Sequence, residues 1–201
     1  MDYATYLETV NAAFNVGLRA LAPENANSVI LSLGRPSDIL RSAGIEDKEI
    51  RLYGNKVLKK AKKHGFEPSV LVDLPKAVSN PIFIFDDKEH GGYSVLTELN
   101  FRNNHILTAF GVGNGSDVIF NIVKSTFGKS GSGIVCWINN GTLLYADKEK
   151  ALNYLRSPAL LAGATDSQEL TNALRTVSGF ENPERPFINI GDFPEKVNTR
   201  L

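Results

Sequence analysis

Four short apolar segments in the middle of the chain, separated by polar turns, constrain the fold more than any other feature. They span residues 81–85, 93–99, 106–112 and 118–123, and they are rich in β-branched and aromatic residues. Connections this short leave no room for the crossover that parallel neighbours need. The segments therefore predict an antiparallel meander in which consecutive strands pair.

Helical patterns lie on both sides of this meander. An amphipathic pattern over residues 2–21 stops at Pro23. Further helices are predicted from Ser37 or Asp38 to Ala43, over 55–63 with Asn55 as cap, over 68–78 in two pieces because of Pro75, over 131–138, over 148–155 with Asp147 as cap, and over 166–177. Residues 28–33 and 142–145 predict additional strands, whereas 50–52 fits either a strand or an extended link. The expected fold is α+β, with N-terminal helices followed by an antiparallel sheet of four or five strands and additional C-terminal helices.

The chain is expected to divide into three regions. Residues 1–27 form an N-terminal amphipathic helix, residues 28–157 form the α+β domain, and residues 158–201 form a C-terminal helix and an extended tail. The N-terminal helix has an apolar stripe that fits either its own domain or a partner, and packing on its own domain is favoured.

Composition limits the class of protein. Lysines and arginines balance aspartates and glutamates over 201 residues, which argues against a protein that coats nucleic acid along its whole surface but allows a local phosphate site. Cys136 is the single cysteine, so an internal disulfide and a multi-cysteine zinc site are excluded. No secretory signal and no run of about 18 apolar residues is visible, so the expected location is the cytoplasm, away from membranes.

Standard catalytic motifs are absent. The sequence has no phosphate-binding P-loop, HExxH, GxSxG or CxxC pattern. Residues 111–115 contain GxGxG, but they join two predicted strands and so favour a hairpin over a dinucleotide loop. The three histidines, His64, His90 and His105, lack metal-ligand spacing. We therefore expect no metal and no cofactor.

A basic helix is the most functional-looking segment. Five lysines and a histidine fall within nine residues of a neutral chain: Lys56, Lys59, Lys60, Lys62, Lys63 and His64. Such a face is either simply solvated, with cations suited to a helix C-terminus, or a site for phosphate. His64 is either a helix-terminal residue or a general acid or base, because neighbouring lysines lower its pKa and favour the neutral imidazole.

The end of the fourth meander strand carries a second group of polar residues. Residues 124–129, KSTFGK, place two ammonium groups and two hydroxyls together. These groups suit phosphate oxygens, and they equally suit a structural role in which the hydroxyls cap a turn.

Several fragments together resemble a known family. They are the pattern LGxPSxxLxxxGI from Leu33 to Ile45, Lys63-His64-Gly65, Leu74-Pro75, Asn80-Pro81, the pattern NxxxSxFGK from Asn121 to Lys129, and Tyr145 followed by KEKAL at 148–152. In this order and spacing they resemble the C-terminal domain of phage MuF-type proteins over about residues 30–156.

The resemblance implies the barnase–EndoU–colicin–RelE-like (BECR) fold and a toxin-like or phage-associated nuclease acting on RNA. It also implies functional roles for Lys63, His64, Asn121, Ser125 and Lys129. The chain departs from the family pattern at Phe127, where the resemblance leads us to expect tyrosine. If that phenol takes part in the chemistry, activity here is weakened or lost.

The leading hypothesis is a metal-independent endoribonuclease. His64 would transfer the proton, Lys63 and Lys129 would stabilise the phosphate, and Ser125 and Thr126 would position it. The remaining substrate contacts are assigned to Lys60, Asn121, Lys124 and Phe127. Expected partners are RNA, with transfer RNA as one candidate, and an immunity or antitoxin protein. The rival hypothesis is a catalytically inactive phage structural or protein-interaction module with the same fold.

Overall fold

The described part of the chain forms a seven-stranded sheet between two layers of helices. A computed structural model describes residues 1–87, 91–111, 120–161 and 166–183. The helices are α1 (Tyr3–Arg19), α2 (Asp38–Ser42), α3 (Gly54–His64), α4 (Leu74–Ser79), α5 (Gly131–Asn139), α6 (Lys148–Leu155), α7 (Pro158–Leu161) and α8 (Ser167–Gly179), with a 3-10 turn at Pro68–Leu71. The strands are β1 (Ile30–Gly34), β2 (Glu49–Tyr53), β3 (Phe83–Asp87), β4 (Gly92–Phe101), β5 (Asn104–Gly111), β6 (Phe120–Lys129) and β7 (Leu143–Ala146).

The predicted meander is confirmed. The sheet order is β1-β2-β6-β5-β4-β3-β7, and β3, β4, β5 and β6 pair antiparallel in sequence order. β7 pairs antiparallel with β3 and extends the sheet on that side. The α+β class therefore holds.

The predicted sheet of four or five antiparallel strands is wrong in size and in character. β1 and β2 add two strands, and β2 pairs parallel with β6. A parallel neighbour requires a long crossover, and here more than sixty residues separate the two strands. Because the pairing is non-local, nothing in the short 50–52 segment predicts it.

The transition from β2 to α3 places α3 beside β6. β2 pairs with β6 only along residues 120–122, and α3 follows β2 without a connecting residue and contacts β6. Gly54 stands at this transition because a Cβ there would lie 2.6 Å from a methyl group of Leu21. The predicted capping role of Asn55 is wrong. The N-cap is Tyr53, and the Asn55 amide instead donates to Asn27 Oδ1 at 3.2 Å.

The predicted caps at the start of α2 and α6, and the predicted break at Pro75, are confirmed. The side chain of Ser37 accepts a hydrogen bond from the backbone of Leu40 in α2, and Asp147 caps α6 in the same way. Pro75 lies in the first turn of α4, so the 68–78 segment does form two pieces. Gly65 ends α3 in the left-handed region, with φ +65°.

Each face of the sheet supports its own hydrophobic core. Alternation along β5 directs Ile106 into the first core, with α1 and α3, and Leu107 into the second, with α5, α6 and α8. α1 contributes Phe14 and Leu18 to the first core. The favoured packing of the N-terminal helix on its own domain is thus confirmed.

Several expectations lie outside the described residues. These are the Gly111–Gly115 loop beyond its first residue, His90, and residues 184–201 of the tail. The region boundaries at 1–27, 28–157 and 158–201 stay a prediction. Within the described residues, no helix is both long and apolar enough to span a membrane.

Candidate functional site

Helix α3 presents its lysines at the surface. Val57 and Ala61 are buried against the first core, which turns the intervening positions outward. Lys59, Lys62 and Lys63 are exposed, and Lys56 and Lys60 are partly exposed. None of these lysines forms an ion pair with any residue that the structure describes. The helix therefore carries a concentrated positive charge that the described part of the chain leaves unneutralised.

The end of α3 and the end of β6 meet, although they are 63 residues apart in sequence. The imidazole of His64 stacks on the ring of Phe127, with the ring centroids 5.6 Å apart and the planes inclined by 17°. Nζ of Lys60 lies 5.7 Å from the centroid of the same ring. The contact follows from the position of α3 along the edge of β6, which the parallel pairing of β2 fixes.

The surroundings of His64 favour its neutral form. Partial burial, followed by the charges of Lys60 and Lys63, lowers the pKa of His64 below its ordinary value of 6.5. The side chain is nevertheless exposed, so an imidazole nitrogen is accessible from solvent. Burial and the neighbouring lysines also lower the pKa of Lys60. At neutral pH His64 is thus an accessible base beside several cations.

Lys129 is partly exposed and packs against an aromatic ring. Its Nζ lies 4.2 Å from the ring centroid of Trp137 in α5, a cation–π contact. The side chain also passes so close to Gly133 that a Cβ there would lie 2.6 Å from Lys129 Cε. Alternation along β6 places Lys129 on the same face of the sheet as Phe127.

Other predicted contacts on β6 lie elsewhere. Lys124 is exposed, and its side chain crosses Gly111 of β5, several residues from the contact with α3. The backbone of Ser125 pairs with Ala109, but its side chain lies outside what the structure describes. Thr126 is only 3% exposed, and its hydroxyl has no hydrogen-bond partner among the described residues. The two hydroxyls expected to position a phosphate are therefore not both at the surface.

Asn121 is built into the sheet. Its side chain is only 3% exposed, and Nδ2 donates to the backbone carbonyls of Glu46 and Lys48, at 2.9 and 3.0 Å. These bonds tie β6 to the chain that enters β2, its parallel neighbour. These contacts give Asn121 a structural role, and its side chain lies apart from the exposed end of α3.

Replacing Asn121 with alanine is expected to lower the free energy of unfolding by about 1–3 kcal/mol, because the two hydrogen bonds of its side chain are lost. The carbonyl of Glu46 still accepts a hydrogen bond from the backbone amide of Lys48. Urea denaturation followed by circular dichroism measures the change. Asn139→Ala, which removes one exposed amide bond to the carbonyl of Glu169, is the control and should cost less. If the Asn121→Ala protein is as stable as the wild type, Asn121 does not have this structural role.

Arg102 is a cation near the site that sequence reasoning missed. Arg102 and Asn103 form the two-residue turn between β4 and β5, both with positive φ. The turn is held against the end of α3 by the edge-on contact between Phe101 and Phe66. A Cβ placed on Gly65 would lie 4.0 Å from the guanidinium of Arg102. The sequence shows a turn at this point, but only the tertiary packing brings it beside His64.

These residues define one surface, which we call the basic corner: Lys60, Lys63, His64, Arg102 and Phe127. It combines cations suited to phosphate oxygens with rings on which a base can stack. Among the described residues, no cluster of three or more His, Cys, Asp or Glu side chains has an arrangement that holds a metal ion. The groups at the basic corner are suited to anion binding and proton transfer.

Comparison with known protein families gives a match. Residues 55–153, just under half of the chain, match the family model of the phage MuF C-terminal domain. No curated protein and no solved structure matches the chain. The matched range contains every residue of the basic corner and begins at α3, so it is shorter than the range suggested by the sequence fragments. From α3 through the meander and into α6, the chain is similar to the phage MuF C-terminal domain.

Proposed function

We propose that this chain is a phage-related RNA-binding protein that cleaves RNA at the basic corner, with His64 as the proton-transfer residue. The observation that carries the proposal is the stacking of an accessible imidazole, whose pKa is lowered, on Phe127, beside lysines that form no ion pair within the described residues. The proposal includes the BECR superfamily, action in the cytoplasm, and an immunity or antitoxin protein as a second partner.

The chemistry needs no group beyond the RNA, the protein and solvent water. Neutral His64 removes the proton from a ribose 2′-hydroxyl, and the resulting oxygen attacks the adjacent phosphorus. The bond from phosphorus to the 5′-oxygen breaks, that oxygen takes up a proton from water, and the protonated His64 returns its proton to the solvent. The products are a 2′,3′-cyclic phosphate and a 5′-hydroxyl. Lys60, Lys63 and Arg102 offset the negative charge that builds up on the phosphate oxygens.

Lys129 and Ser125 enter the proposal less directly. Lys129 lies on the same face of β6 as Phe127, where Trp137 fixes its position. A phosphate that reached it would have to compete with the cation–π contact. The catalytic role of Ser125, which the resemblance implies, stays a prediction. Asn121 and Thr126 are left out because both are buried.

A second function is favoured by one specific observation. Phe127 has no hydroxyl, and among the described residues no carboxylate or second imidazole contacts His64. A general base without an acid partner fits a domain that retains nucleic-acid or protein binding but has lost cleavage. The alternative is therefore a catalytically inactive phage structural or protein-interaction module.

RNA binding tests the part of the proposal that does not depend on cleavage. Lys60→Gln is expected to weaken binding of single-stranded RNA and to lower the slope of log affinity against log salt by about 0.7, the value for one phosphate contact. Lys62→Gln is the matched control. It removes the same charge from the same helix, but at about 100° per residue it lies about 200° around the helix from Lys60.

Fluorescence anisotropy with a labelled oligonucleotide, at several salt concentrations, measures both quantities. Equal slopes for the two variants would show that RNA does not contact the basic corner. Absence of RNA binding by the wild-type protein would remove the proposed function altogether.

A further inference from the structure

A second concave surface lies between α6 and the meander, apart from the basic corner. It is a cleft of about 520 Å³, within the range of small-molecule sites. The residues of its lining that matter here are Glu98, His105, Asp147, Glu149, Lys150 and Tyr154. None of them belongs to the basic corner, and we call this surface the α6 cleft.

A phenol whose ring is buried forms part of the wall. Tyr154 is only 8% exposed, and its hydroxyl makes no hydrogen bond with any residue that the structure describes. The hydroxyl oxygen is not among the buried side-chain atoms that lack a partner, so it is open to solvent in the cleft that Tyr154 lines. A ligand group in the cleft can therefore replace water at this hydroxyl.

His105 lines the cleft beside the ring of Tyr154. Its ring meets the ring of Tyr154 edge to face, with centroids 5.0 Å apart. Nδ1 lies 2.8 Å from the carbonyl oxygen of Thr97. A carbonyl can only accept, so Nδ1 carries the proton and Nε2 of the neutral ring is left as an acceptor.

The charges around the cleft favour a cation. Three carboxylates and one ammonium group line it, which leaves two negative charges in excess when His105 is neutral. Lys150 is already engaged, since its Nζ bonds to Glu98 at 2.7 Å and to the carbonyl of Asn80 at 3.1 Å. Glu149 is exposed and has no ion-pair partner among the described residues.

We propose that the α6 cleft binds a guanidinium group, which donates to the Tyr154 hydroxyl, to Nε2 of His105 and to the free carboxylate oxygens. A guanidinium has several donors in a fixed planar fork and no acceptor, and the cleft offers mainly acceptors. The group comes either from a free dication or from an arginine side chain of a polypeptide. This inference is independent of the proposed function, since the two sites share no residue.

Isothermal titration calorimetry on the full chain tests the inference, with agmatine as the free dication and N-acetyl-arginine amide as the side-chain probe. Tighter binding of agmatine indicates a free dication, and tighter binding of the amide indicates an arginine of a polypeptide. Tyr154→Phe is expected to weaken binding about tenfold by removing one charge-assisted hydrogen bond. It should leave the protein folded, because the hydroxyl has no hydrogen bond to a described residue to lose.

Two comparisons make the result decisive. Glu149→Gln is expected to weaken binding, whereas Glu24→Gln, the same change on an exposed carboxylate outside the cleft, should leave it unchanged. Wild-type binding of neither probe at millimolar concentration would overturn the inference. So would a Tyr154→Phe protein that binds as tightly as wild type, or inorganic phosphate that binds with the same dependence on Tyr154.

Discussion

Replacing His64 with alanine is expected to slow RNA cleavage by about 10²–10⁴-fold, the contribution typical of a positioned general acid or base. His64 is exposed and packs on Phe127, and no hydrogen bond of its side chain within the described residues is lost with it. The fold should therefore survive the change. Cleavage of a labelled RNA, with analysis for cyclic-phosphate ends, measures the rate. Equal rates for the variant and the wild type would exclude His64 from proton transfer.

The pH dependence gives an independent check on the same residue. Partial burial together with Lys60 and Lys63 lowers the pKa of His64, so the neutral base persists to pH values below 6.5. Activity should be lost only as the pH falls through this lowered pKa. Lys63→Gln removes one positive neighbour, so it should raise the pKa of His64 and move the acidic side of the activity–pH profile to higher pH. If the profile does not move, a group other than His64 controls the loss of activity.

Phe127 separates the two proposed functions. If the missing phenol explains an absence of cleavage, Phe127→Tyr should introduce activity that the wild type lacks, because the ring already stacks on His64. If the wild type cleaves RNA and Phe127→Tyr changes little, stacking is the only contribution of this position. RNA binding without cleavage by both proteins supports the inactive module.

Replacing Phe14 with alanine is expected to lower the free energy of unfolding by about 3–5 kcal/mol, as for other buried aromatic residues. Phe14 is 2% exposed and belongs to the first core, together with Leu18 and residues of the sheet. Such a loss is a large part of the about 5–15 kcal/mol that stabilises a domain. Urea denaturation of the full chain, followed by circular dichroism, measures it.

The matched control for this change is on the same helix. Val16 is 54% exposed, so Val16→Ala should change the free energy of unfolding by no more than about 0.5 kcal/mol. If Phe14→Ala costs no more than Val16→Ala, α1 does not stabilise the sheet. If the expected loss is found, the matched range 55–153 is part of a larger cooperative unit, because that unit includes α1 outside the range.

The local features of this chain are present in its sequence because neighbouring residues produce them. Ser37 and Asp147 cap helices through bonds to residues three positions later, and Gly65 ends α3 because it adopts a left-handed conformation without steric cost. The meander follows from short turns, which restrict each strand to its neighbour in sequence. Asn55 shows the limit of such reasoning, since the direct passage from β2 into α3 moved the cap to Tyr53.

The candidate site likewise combines features that the sequence shows with features that only the fold creates. The sequence alone determined that α3 is basic, that His64 ends it, and that polar groups follow on β6. Only the tertiary structure decided that the ring of His64 stacks on Phe127 and that Arg102 lies beside the end of α3. It also decided that Asn121 and Thr126 are buried. The reason is the parallel pairing of β2 with β6, which aligns α3 along β6 across more than sixty residues of chain. Such a pairing depends on the two cores as a whole, and no local pattern specifies it.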